Sequence, residues 1–117
     1  MAISGNSVRE LYNEFVAKCA SEIEVEIDAH FTRDPSTGYE FRLRVSPDKE
    51  RLETVIDDRV CSVLKAPGYI GWTERVVLAI CNELVVRYRA SGWTIWPLFA
   101  GGQDGSVTTI WCFEYEV

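Results

Sequence analysis

The chain has 117 residues, enough for one hydrophobic core and short for two, so a single domain over 1–117 is expected. Its 47% hydrophobic and 26% charged residues are the balance of a folded chain, not a disordered one. A net charge of −6 opposes the phosphate field of nucleic acid, so no direct nucleic-acid binding is expected; the acidity reads first as a device for solubility, with a basic partner as the alternative.

Apolar runs are only a few residues long, well below the roughly 20 needed to span a bilayer, so no membrane partner is expected. The first seven residues, Met1-Ala2-Ile3-Ser4-Gly5-Asn6-Ser7, lack a basic patch followed by an apolar stretch. Secretion through a signal peptide is therefore not expected, and a cytoplasmic location is. Cys19, Cys61, Cys81 and Cys112 form no close pair of the zinc or redox type and lie among apolar residues. They read as buried free thiols.

A helix is predicted over 8–21, with Ser7 as N-cap and Glu10 at the capping-box spacing. Its stripe is Val8, Leu11, Tyr12, Phe15, Val16 and Cys19. The period then changes to two: Ile23, Val25, Ile27, Ala29 and Phe31 alternate with Glu22, Glu24, Glu26, Asp28 and His30, which predicts a strand with one wet face. After the turn residues Asp34-Pro35-Ser36-Thr37-Gly38, the alternation of Tyr39, Phe41, Leu43 and Val45 predicts the returning strand of a hairpin. Ser46-Pro47-Asp48 reads as a helix start. Leu52, Val55, Ile56, Val60, Val63 and Leu64 then read as the stripe of a second helix. Thr73 is the predicted N-cap of a third helix, which ends at Gly92. Two aromatic-rich strands close the chain, 93–99 and 107–117. The order α-β-β-α-α-β-β predicts an α+β two-layer sandwich: a mostly antiparallel four-stranded sheet with helices on one face.

No catalytic signature accompanies this pattern, and no enzyme is expected. His30 would need Asp28 and a third ligand to hold a metal, and no serine or cysteine motif makes it the base of a triad. The carboxylates Glu22, Glu24, Glu26, Asp57, Asp58, Glu114 and Glu116 fall on predicted outer faces and not across a cleft. Gly68, Gly71 and the 101–105 run lack the ending and the following helix of a phosphate loop. No cofactor or metal is expected. Partner-binding candidates are aromatic and apolar. Tyr69 and Trp72 are large for a short connection. In the final hairpin one row completes the core, while Trp96, Leu98, Ile110 and Cys112 make the opposite row unusually apolar for an outer face.

The junction Tyr88-Arg89-Ala90-Ser91-Gly92-Trp93-Thr94-Ile95, followed by a closing hairpin, resembles a pattern in small phage-encoded proteins of uncharacterised role. The resemblance covers about the last 30 residues. It implies a viral protein located in host cytoplasm or virion, and it transfers no functional residue. The expected function is a non-enzymatic protein-binding or self-assembling module, a homo-oligomer or phage assembly component, anchored by Trp96, Leu98 and Ile110. The alternative is a phage inhibitor of host defence or nucleic-acid machinery that presents Glu22, Glu24, Glu26 and Asp28 as a phosphate mimic.

Overall fold

A computed structural model describes residues 2–36, 38–65, 71–101 and 107–116. In chain order the elements are α1 (Gly5–Arg33), β1 (Gly38–Val45), β2 (Arg51–Ile56), β3 (Arg59–Lys65), α2 (Glu74–Ala90), β4 (Thr94–Gly101) and β5 (Val107–Glu114). The fold is α+β. Among the described residues the sheet has five antiparallel strands in the order β3-β2-β1-β5-β4, in place of the four expected. The element order is α-β-β-β-α-β-β.

Two segments change type. Residues 22–31 continue α1 and form no strand. Ile23, Ile27 and Phe31 are four apart, a spacing that fits a helix stripe as well as an alternating strand. Upstream, Val16, Cys19 and Ala20 extend the same buried stripe, and tertiary burial selects the helix. Val25, apolar in the alternating pattern, is left 65% exposed. The helix also starts earlier than expected: Ser4 is the N-cap, its hydroxyl accepting from Ser7 N at 3.1 Å. With 29 residues α1 is about 43 Å long, most of the 56 Å length of the molecule.

The second change replaces the expected helix over Leu52–Leu64 with the β2–β3 hairpin. Thr54, Val55, Ile56, Val60 and Val63 are β-branched and favour a pleated sheet, although their spacing also fits a helix stripe. Asp57 and Asp58 both have positive φ, 50° and 66°, the left-handed pair that a two-residue hairpin turn requires. Ser46-Pro47-Asp48 makes the β1–β2 turn and not a helix start. Lys49 N donates to Ser46 O at 2.9 Å, Arg51 N to the Ser46 hydroxyl at 3.0 Å, and that hydroxyl binds the Asp48 carboxylate. The residues that cap helices also close turns.

The sheet register explains the core. Phe41, Leu43 and Val45 stand opposite Ile56, Thr54 and Leu52, while Tyr39 and Phe41 stand opposite Phe113 and Trp111. Alternate positions share a face. Side chains of this face, with Ile95 and the buried stripes of α1 and α2, form one cluster that includes Ile23, Ile27, Ile80 and Leu84. Each such fully buried side chain contributes about 1.5–3 kcal/mol. Thr73 caps α2 as predicted, and Gly92, at φ 96°, ends it. Gly71 is fixed by close approach: a Cβ there would lie 2.8 Å from both Lys49 Cβ and Lys49 O.

Cys19, Cys81 and Cys112 are buried free thiols, while the Cys61 side chain lies outside the described residues. Burial pushes the Cys81 thiol up to about 12 from 9.0, with Trp111 pulling slightly the other way. The folded chain therefore keeps this proton to higher pH than the unfolded chain. The corresponding stability is complete below pH 9 and is lost as pH rises towards 12. Urea unfolding between pH 8 and 11 should show stability falling by up to about 1.4 kcal/mol per pH unit from this group, and Cys81→Ala should make the slope shallower. In the β2–β3 turn, Asp58→Gly removes a left-handed non-glycine at an exposed site. It should raise stability by about 0.5–1 kcal/mol in chemical denaturation.

Candidate functional site

The outer face of β1, β5 and β4 carries one continuous cross-strand row. Glu40 stands opposite Cys112, and Cys112 stands opposite Trp96. In the next row Leu98 pairs with Ile110, and on the other side Glu114 pairs with Thr94. Trp96 and Leu98 are 42% and 41% exposed, whereas their cross-strand partners Cys112 and Ile110 are buried. Of the predicted anchors, Trp96 and Leu98 are therefore available to a partner. Ile110, buried beside Leu98, sits with Val55, Arg42 and Asp58 around a small crevice.

Beside Trp96 is a depression of about 310 Å³, lined by Trp96, Cys112, Tyr39, Glu40, Asp57 and Glu114. Its lining thus combines aromatic and apolar side chains with three carboxylates. Asp57 is anchored there by two hydrogen bonds: its N donates to Glu40 O, and its Oδ1 accepts from Glu40 N, both at 2.9 Å. The field is visible at Cys112, whose thiol is pushed up by burial and then by the carboxylates Glu40 and Glu114. An aromatic wall beside carboxylates is suited to a cationic side chain, which can stack on the ring and meet an acid together. Phe99, 68% exposed, lies on the opposite face of β4 and is no part of this row. Glu40, Asp57 and Glu114 were not among the partner-binding candidates of the sequence. Their types were visible, but the β1–β5–β4 register that gathers them was not.

The other predicted candidates are placed differently. Trp72 is 3% exposed; its ring stacks on Phe15 at 6.1 Å and its indole N–H donates to Leu64 O at 3.3 Å. It is a core residue and not an exposed anchor, although its edge helps line an apolar groove of about 360 Å³ with Val8, Leu11, Tyr12, Phe15 and Val76. Tyr69 lies outside the described residues.

The acids Glu22, Glu24, Glu26 and Asp28 do not form the expected strand face. On a helix, residues two apart point about 200° from each other, so the row is split between two sides. Glu24 Oε2 accepts from Arg87 Nη1 at 2.9 Å, and Asp28 Oδ1 accepts from the Tyr88 hydroxyl at 2.6 Å. Burial and that hydrogen bond hold the Tyr88 phenol in its neutral form, pushing its pKa well up. His30 is 8% exposed, with Nε2 4.0 Å from Asp57 Oδ2 and no hydrogen-bond partner for that nitrogen among the described residues. Among the described residues, no three His, Cys, Asp or Glu side chains are grouped to hold a metal, and no helix is long and apolar enough to cross a membrane.

No protein-family model matches the chain, and no curated protein or solved structure matches it either.

Arg87 is the main polar strut between the helices: it also donates to Glu83 Oε1 at 3.0 Å, to the Ser21 hydroxyl at 2.9 Å and to Ala17 O at 3.3 Å. Arg87→Met keeps most of the stem and removes these bonds. It should lower unfolding free energy by about 1–3 kcal/mol in urea titration, while the sheet's circular dichroism is preserved.

Proposed function

We propose that this chain is a non-enzymatic protein-binding module whose outer sheet face docks a basic segment of a partner protein. The observation that carries this reading is the exposed pair Trp96 and Leu98, set in register beside Glu40 and close to Glu114 and Asp57. Tryptophan in an apolar patch is a favoured hot-spot residue. The surrounding carboxylates select a lysine or arginine on the partner, in keeping with the net charge of −6.

A second copy fits this face less well. Two such rows meeting across a two-fold axis would bring Glu40 and Glu114 towards acids of their own kind, and like charges in an interface are unfavourable. Phosphate mimicry by the α1 acids has weaker support, because Glu24 and Asp28 are engaged by α2. The likeness of the Tyr88–Ile95 junction to small phage-encoded proteins supports an assembly component, acting in host cytoplasm or in the virion.

A lysine- and arginine-rich synthetic peptide titrated by calorimetry should bind saturably, more weakly as salt rises. Trp96→Ala should weaken binding by about tenfold or more, equivalent to about 1.4 kcal/mol. The double change Glu40→Gln with Glu114→Gln should weaken it and flatten the salt dependence. Binding indifferent to Trp96→Ala would remove this face as the site, and a concentration-dependent rise in mass by light scattering would favour self-assembly instead.

A further inference from the structure

The centre of the sheet is forked. β1 pairs with β5 from Gly38↔Glu114 to Phe41↔Trp111, and there the ladder stops. Beyond it β1 continues to Val45 on β2, while β5 begins at Val107 on β4. Arg42–Val45 and residues 107–110 thus leave two inner strand edges facing each other without pairing among the described residues. A cavity of about 370 Å³ opens at this place, between the strands and the first half of α2.

Parity shows which backbone groups point into the fork. On β1, Asp57 N donates to Glu40 O and Ser46 N donates to Arg51 O, so even-numbered positions bond towards β2. Odd-numbered positions bond towards β5, which leaves the N–H and C=O of Leu43 and Val45 directed into the fork. On β5, Trp111 stands opposite Pro97, which has no N–H, so the Trp111 backbone bonds towards β1. Thr109, two residues away, therefore also presents its N–H and C=O to the fork. Leu43, Val45, Thr109 and Trp111 all line the cavity. Unpaired strand edges are a template for another strand.

We propose that this fork is a peptide-binding cleft that takes an extended segment of a partner protein as an inserted strand. About four residues, roughly 13 Å, would fill the unpaired length. Main-chain bonds to Leu43 and Val45 on one side and to Thr109 on the other would supply affinity, the strand-addition mode of peptide recognition. The side chains of an inserted strand alternate. One set faces Val77, Leu78, Cys81 and Trp111 and must be apolar, with Glu74 of the first turn of α2 the one acid lining the cavity. The other set emerges on the outer face beside Arg42 and Arg44. Half-buried Arg42 is held by Asp58 at 3.4 Å and exposed Arg44 by Glu53, and an incoming carboxylate would share these guanidiniums, Arg44 above all. The segment therefore alternates apolar with acidic residues, opposite in charge to the ligand of the Trp96 depression. The cleft does not rest on that other site.

The test uses the full chain carrying Trp96→Ala, so that failure of one site leaves the measurement at the other intact. The probe is an acetylated, amidated hexapeptide of alternating valine and glutamate, titrated by calorimetry. Saturable binding is expected. N-methylation of alternate peptide nitrogens should abolish it, because strand pairing needs those donors. Leu78→Asp, an exposed change on α2 at the rim of the cleft, should weaken binding by about tenfold. Thr109→Pro, which removes one fork N–H without touching the β4 ladder, should do the same where circular dichroism shows an intact fold. No saturation at millimolar peptide, or binding unchanged by N-methylation or by Leu78→Asp, overturns the cleft. Equal affinity for the valine–lysine peptide overturns the assignment of acidic ligands.

Discussion

Phe31 is the contact on which the rest of the arrangement depends. From the last turn of α1 its ring stacks on Trp93 at 4.4 Å and meets Tyr39 at 4.5 Å, Phe113 at 5.8 Å and Tyr88 at 5.9 Å. One side chain thus joins the ends of both helices to β1 and β5, and offset or edge-on aromatic pairs of this kind add about 0.5–1.5 kcal/mol each beyond their buried area. For Phe31 to reach that position, α1 must run unbroken through residues 22–31. The same helix phase places Ile23 and Ile27 in the core and turns Glu24 and Asp28 onto Arg87 and Tyr88.

This dependence also shows what was readable in the chain. α2 could be located from Thr73 and Gly92, because capping chemistry and a positive φ are local properties written in single residues. β1 was legible from its alternation of buried and wet positions, and the terminal strands from their aromatic and β-branched content between turn residues. Residues 22–31 were misread because a four-residue spacing belongs to both periods, and the choice is made by contacts with Phe113 and Trp93, over 60 positions away. The β2–β3 hairpin was misread for the opposite reason. Its β-branched content and paired aspartates were local signals, but the apolar spacing alone fitted a helix. Trp96 and Leu98 were correctly placed on an outer row, whereas Ile110 is covered and Trp72 is internal. The gathering of Glu40, Asp57 and Glu114 about Trp96 needed β1 to lie beside β5, a pairing across some 70 residues that no short-range pattern encodes.

The two kinds of open strand edge in this sheet are treated differently. At one outer edge, β4 carries Pro97, whose missing N–H interrupts any ladder that another chain could build there. Arg89 Nη2 occupies the neighbouring carbonyl of Ile95 at 2.7 Å. The inner edges of the fork have no such guard at Leu43, Val45 or Thr109, and α2 roofs them with apolar side chains. Strand addition is thus hindered at the β4 edge, and in the proposed cleft the helix would limit what can enter. The exposed tryptophan on β4 offers side-chain chemistry in its place.

The double periodicity of residues 22–31 has a consequence for the chain before it folds. Stretched out, this segment is an amphipathic β-strand in all but context, the type of stretch that can stack with its own kind. In that conformation Glu22, Glu24, Glu26 and Asp28 come onto one side as a column of negative charge. Parallel, in-register copies would place carboxylate against carboxylate at every layer, about 4.8 Å apart. Acids that are scattered around a helix in the native state therefore act as gatekeepers in the unfolded one, keeping a strand-competent sequence soluble until Phe31 finds its aromatic partners.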